Sequence, residues 1–173
     1  MLILGNNNIG AASVLLSVPG ICFAVGPLTC PLTGTVDIFG LYGNNQGNAG
    51  NFQCGIYADN AGAPGAHLGH SVSGHLGATD NWYTTVPALP INVVAGQKYW
   101  VCFEADSTCS IRHDMGTAVY KNIGYGLWYD PFTTPDGTDP WNISLFADIL
   151  PSTVPPVLAE VNHLIDDGIG GML

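Results

Sequence analysis

The chain has little charge, and above all little positive charge. Three Lys and Arg face thirteen Asp and Glu among 173 residues, for a formal net charge of −10. Phosphate recognition needs clustered basic residues, and Lys98, Arg112 and Lys121 are too few and too scattered to form a stripe. Nucleic acid is therefore not expected as a partner, and neither is an anionic membrane surface. Charged residues make up only 9% of the chain, against about 25% in an average domain. Asn, Ser, Thr and Gly must supply the polar surface. Long apolar runs are missing too. The segment from Ile9 to Val25 is broken by Ser17, Pro19 and Gly20, and no basic region precedes it, so neither a signal core nor a membrane span is expected.

Paired-cysteine spacing is also absent. Cys22, Cys30, Cys54, Cys102 and Cys109 show no CxxC pair, and no His sits at ligand distance in sequence from two of them, so a zinc site is not expected. Cys54 and Cys102 fall inside alternating runs where a buried thiol packs as a small apolar group. Mostly free cysteines are expected. Short loops closed by Cys22–Cys30 and Cys102–Cys109 are the alternative, although an odd count leaves one thiol over.

What is present is alternation. Phe52, Cys54 and Ile56 share one face of Phe52-Gln-Cys-Gly-Ile-Tyr57. In Lys98-Tyr-Trp-Val-Cys-Phe-Glu104, Tyr99, Val101 and Phe103 oppose Trp100 and Cys102, as in a central strand covered on both sides. Further strands are expected at Gly34–Tyr42, His67–Ser73, Tyr83–Val86, Cys109–His113, Ala118–Lys121 and Trp141–Ala147. The Asn44–Gly50 and Asp59–Gly65 tracts read as turns, as does Val94-Ala-Gly-Gln97. Asp130–Pro140, with three prolines, reads as an ordered loop.

Short strands at this spacing predict an all-β, antiparallel β-sandwich of jelly-roll type over residues 1–149. A proline linker is expected at 150–156. Beyond it Val157, Leu158, Val161, Leu164 and Ile165 recur at helical spacing, predicting a short amphipathic helix within 157–173. So short a helix needs something to dock on, its own sandwich or a neighbouring subunit.

No catalytic constellation stands out, so an enzyme is not expected, nor is a cofactor. His67, His70 and His75 cluster in sequence, but on a regular strand the odd spacing sends His67 and His70 to opposite faces, against a shared metal ion. Asp136-Gly-Thr-Asp139, near Asp130, lacks the acidic spacing of a calcium loop and reads as a solvated turn. Asp59-Asn60 is a turn former first. Asn142-Ile-Ser144 matches a glycosylation sequon but lies in a strand pattern. Trp82, Tyr83, Trp128, Tyr129 and Trp141 divide between core and surface. Trp82, Trp128 and Tyr129 are the candidate contact residues, with Tyr125–Phe132 as the loop most suited to exposure.

Cys54-Gly-Ile-Tyr-Ala-Asp-Asn-Ala-Gly-Ala-Pro-Gly65, Trp82-Tyr83, Leu89-Pro-Ile-Asn-Val-Val-Ala-Gly-Gln-Lys-Tyr-Trp-Val-Cys-Phe103 and Trp141-Asn-Ile-Ser-Leu-Phe-Ala147 together resemble a family of β-sandwich modules. Its pattern is a strand ending in Ile-Tyr, an Asp-Asn-x-Gly-x-Pro-Gly turn and a later Ala-Gly-x-x-Tyr-Trp strand, and the resemblance covers about Leu4 to Ile149. Such modules occur as adhesive or carbohydrate-associated repeats in secreted prokaryotic proteins and as stand-alone proteins of phages. The resemblance to the stand-alone kind, with the composition, implies a capsid decoration or accessory protein at the virion surface. Its expected partners are the major capsid protein or other virion proteins and further copies of itself, as a trimer. A carbohydrate-binding or adhesive module is the alternative.

Overall fold

The computed structural model describes residues 2–17 and 19–152. The helix expected over Val157, Leu158, Val161, Leu164 and Ile165 lies outside them. Every regular element among the described residues is a strand: β1 (Ile3–Gly5), β2 (Ala12–Leu16), β3 (Ile21–Thr29), β4 (Gly34–Asn44), β5 (Gly50–Asn60), β6 (Ala63–His70), β7 (Gly74–Leu76), β8 (Asn81–Thr85), β9 (Asn92–Val93), β10 (Lys98–Ala105), β11 (Cys109–Asn122), β12 (Gly137–Ile143) and β13 (Leu145–Pro151). They form one sheet in the order β1-β13-β4-β11-β3-β10-β5-β6, with β2 and β12 on β11, β7 on β5, and β8 and β9 on β4. The pairings between these strands are antiparallel.

The alternation decides which side chains meet. Tyr99, Val101 and Phe103 of β10 join Phe52, Cys54 and Ile56 of β5 in the main core. Leu4 of β1, Ile149 of β13 and Phe39 of β4 enter the same core, so strands from both ends of the order curl over one interior. β11 makes this possible. Its first half pairs with β2 and β4, and its second half with β3. The segments Cys109–His113 and Ala118–Lys121, expected as two strands, are one strand with a register shift between Met115 and Ala118 in its pairing to β12.

Among the boundaries that differ from expectation, two near the C-terminal strands have clear reasons. The proline tract ends as a loop at Asp136, because Gly137–Ile143 pairs with β11. Pro140 fits there because, among the described residues, β12 is bonded on one side only. The expected Trp141–Ala147 strand is interrupted at Ser144, which turns its amide to Arg112 O and accepts the Gly10 amide at its hydroxyl.

The opposite face of β3, β5, β10 and β11 carries a second cluster. Cys22, Ala24, Tyr57, Trp100, Cys102 and Val119 lie there beneath Ile123, Trp128 and Phe132 of the 123–136 segment. A strand buried on both faces, as β10 is, explains its nearly unbroken apolar sequence.

Candidate functional site

The 123–136 segment is held against the sheet by polar contacts that the sequence does not announce. The Gly126 amide donates to Glu104 Oε1 at 2.7 Å, and the His67 amide donates to Asp130 Oδ1 at 3.0 Å. Phe132 N–H bonds Gly65 O, Lys121 Nζ donates to Thr134 O at 2.8 Å, and the Asn122 amide donates to Asp136 Oδ2 at 2.9 Å. Asp136 is thus a loop clamp and shares no site with Asp139, which sits on β12. The hydrogen bond from the Asn122 amide, with the hydrogen bond and positive charge of Lys121, holds its carboxyl below the usual range.

Clamped this way, the segment lays Trp128 across two imidazoles. The rings of His67, His70 and Trp128 are nearly parallel: centroids lie 5.3 Å apart for His67–His70, 5.3 Å for His67–Trp128 and 5.4 Å for His70–Trp128, with interplanar angles of 13°, 8° and 5°. This corrects the expectation that His67 and His70 face opposite ways. β6 is not regular: Tyr57 opposes His67 while Ile56 opposes Gly69, so Leu68 is an extra residue and the alternation skips a beat. Gly69 takes φ 152°, a conformation that favours glycine, and a Cβ there would lie 2.7 Å from Ile91. The signal available in the sequence was the glycine between two histidines in a strand, a known mark of a bulge.

His75, the third histidine of the run, is on β7 and exposed, apart from this stack. Among the described residues no group of three or more His, Cys, Asp or Glu is placed to hold a metal ion. His67 Nε2 and His70 Nδ1 are buried without a hydrogen-bond partner. Burial, and for His67 its neighbour His70, lowers both imidazole pKa values, favouring the neutral rings that stack.

Open clefts flank the stack. One of about 420 Å³ lies between the histidines and Leu127, Trp128 and Tyr129. A second, about 360 Å³, runs from the same histidines to Ala88, Leu89 and Pro90. A third, about 310 Å³, continues from there to Thr35 and Asp37. Shared lining residues make these one strip, and among the described residues that line it Asp37 is the single charged side chain. Leu89 is 77% exposed, Leu127 59% and Tyr129 43%.

The candidate aromatics therefore part company. Trp128 and Tyr129 lie together on the strip. Trp82, on β8, packs against Tyr42 at 5.4 Å and Phe146 at 5.1 Å. It is absent from the three clefts, and Trp141 packs on Phe23 at 5.8 Å. The apolar residues Val157, Leu158, Val161, Leu164 and Ile165 lie outside the described residues. All five cysteines are free and buried. Burial raises the thiol pKa of Cys54 and Cys102 strongly and pushes Cys109 up to about 12, so these thiols stay protonated and unreactive at neutral pH.

The seat of Trp128 depends on Gly55, where a Cβ would lie 2.6 Å from the indole ring. Gly55→Val should expel Trp128 and cost about 1–3 kcal/mol, the usual range for overpacking. The Trp128 indole resonance should move to a solvent-exposed position and the melting midpoint should fall. An unmoved resonance would show that the ring does not rest on this strand.

In comparisons with known proteins, no family model matches the chain, and no curated protein matches it.

Proposed function

We propose that this chain is a non-enzymatic contact protein: a rigid β body that presents an uncharged, ring-bearing strip to a partner. The body is best read as a two-layer sandwich of jelly-roll type in which β11 runs from one layer into the other, so that the hydrogen bonding continues through all thirteen strands. More particularly, we read it as a virion structural protein, a decoration or accessory protein on the major capsid shell, displayed at the particle surface.

The observation that carries this reading is the strip itself. A continuous run of exposed Leu127, Tyr129, Leu68 and Leu89 around the His67–His70–Trp128 stack is the composition of an interface core, apolar and aromatic with charge depleted. The sequence resemblance to stand-alone phage modules supplies the context, and the apolar stripe of Val157–Ile165 a second means of attachment.

The test is particle binding. Purified chain mixed with undecorated shells should co-sediment with them. Leu89→Lys and Leu127→Lys together should reduce the bound fraction at least tenfold, and deletion of Pro155–Leu173 should reduce it without lowering the melting midpoint. Undiminished binding by both variants would remove the strip and the C-terminal segment from the contact.

The cleft beside Trp128 and Tyr129 favours a second reading, a carbohydrate-binding or adhesive module, since an exposed ring beside polar groups suits the C–H face of a sugar. It predicts glycan-array binding that Trp128→Ala abolishes, whereas the decoration reading predicts an array without signal.

A further inference from the structure

Sheets expose unpaired backbone groups at their edges, and proteins usually blunt such edges with charge, proline, bulges, short strands or covering loops. Most edges of this sheet are blunted in one of these ways. β12 carries Asp139 and Pro140, and β1 has three residues. β6 is bulged and is covered by the 123–136 segment through Phe132 N–H to Gly65 O and His67 N–H to Asp130. β8 is bonded to β4 on one side and meets the Ser71–Val72 segment on the other, through Val72 N–H to Val86 O.

Among the described residues, β2 has none of these devices. Its sequence, Ala12-Ser-Val-Leu-Leu16, holds no charge, proline or glycine, and among the described residues it pairs only with Cys109–His113 of β11. Val14 and Leu16 lean on the main core, while Ser13 and Leu15 face outward, Leu15 at 56% exposure. Two more exposed apolar side chains stand near its start: Ile9 at 55%, and Met115 at 83%, two residues beyond the Ala12 partner His113.

We propose that the free edge of β2 is a docking edge for β2 of a second copy, paired antiparallel about a two-fold axis through Val14. Three features of the strand select a second copy as its occupant. On a chain with net charge −10, two copies repel wherever acidic surfaces meet, and this edge is uncharged. The sequence is also self-complementary in this register. Val14 meets Val14 of the other copy and Ala12 meets Leu16 on the core side, while Ser13 meets Leu15 on the outer side. The row of unpaired N–H and C=O groups is satisfied by the same row reversed, which is the hydrogen-bonding logic of strand addition.

A five-residue edge is about 17 Å long and buries well under the roughly 800 Å² per partner of a standard interface. The contact is therefore weak and depends on concentration, suited to a protein held at high local density. It builds assemblies of even stoichiometry, in contrast to the trimer expected from the sequence. It is independent of the particle reading, because it is measured in solution without shells.

Sedimentation velocity on the full chain from about 1 µM to about 1 mM should show a monomer passing to a dimer. Leu15→Lys and Ser13→Lys, both at exposed positions, should each weaken the dimer at least tenfold while leaving the circular dichroism spectrum and melting midpoint unchanged. A double-Lys variant (Ser13→Lys with Leu15→Lys) and a double-Glu variant (Ser13→Glu with Leu15→Glu) should each be monomeric alone. Mixed, they should form a heterodimer, because position 13 of one copy faces position 15 of the other. A chain that stays monomeric throughout, a dimer indifferent to these substitutions, or a mixture that does not associate would each overturn the proposal.

Discussion

Glu104→Gln should leave the protein more stable than the wild type at pH 8, by about 3 kcal/mol, and about equally stable at pH 4. Glu104 has no solvent exposure, its Oε1 accepts the Gly126 amide and its Oε2 has no partner. Burial outweighs the Gly126 hydrogen bond and pushes its pKa from 4.5 up to about 7. The native state thus holds a proton that the unfolded chain has already released between those two values. Stability falls with rising pH across that window and levels off above it, at about 1.4 kcal/mol per pH unit. Glutamine keeps the acceptor for Gly126 and never ionises.

The histidines act in the opposite sense. With His67 and His70 lowered by burial, their contribution is complete above the ordinary imidazole value and is lost as pH falls through the lowered native ones. The wild type sums the two opposing slopes. The glutamine variant should show only the histidine slope, with stability rising toward neutral pH. Urea midpoints from pH 4 to 8 decide it: parallel profiles for the two proteins would mean that Glu104 ionises freely in the folded state. Since Glu104 anchors the loop that carries Trp128, the same variant should bind its partner at least as well at pH 8.

Trp100→Ala should be the most damaging single truncation, costing about 4 kcal/mol and lowering the melting midpoint by about 10 °C. Trp100 heads the largest fully buried side chains, and its indole Nε1 donates to Asp59 Oδ1 at 2.9 Å. The ring lies so close to Gly26 that a Cβ there would sit 2.8 Å away. Its removal opens a cavity under the 123–136 segment and takes the indole donor from Asp59, whose carboxylate keeps only the Gly62 amide. Because the domain's total stability is of order 5–15 kcal/mol, the variant should survive folded but loosened. A loss below about 1 kcal/mol would mean that the second cluster packs loosely enough to collapse around the gap.

Much of the fold was legible because backbone alternation is local. Tyr99, Val101 and Phe103 against Trp100 and Cys102 predicted a strand buried on both sides, and β10 lies between β3 and β5. The Asp59–Gly65 turn was legible for the same reason, since its residue types answer to local dihedral demands, and it joins β5 to β6 at Ala61-Gly62. The errors fell where an element's end depends on a distant partner. β11 is one strand because β3, β4 and β12 supply pairing along its length, and Pro140 joins β12 because none of the described residues pairs on its outer side.

The candidate site was half legible. Trp128 and Tyr129 are recognisable as rings in a proline-bearing loop suited to exposure, and Tyr129 is exposed while Trp128 is half-buried. The pairing of the histidines beneath them is not legible, because periodicity assumes a regular strand and Leu68 is an extra residue. Glu104 was hidden inside an apolar run, and its role as the anchor of Gly126 appears only when the loop is folded onto it.

The sequence by itself determined the all-β character of the described residues, a charge-poor, acid-leaning composition, buried thiols and turns in set places. Each of these follows from residue type and spacing within a few positions. Only the tertiary structure decided that one strand pairs along its length with four others, that two histidines and a tryptophan stack, and that β2 pairs on one side only among the described residues. Those depend on which segments, tens of residues apart, come to lie side by side, and no local pattern encodes that.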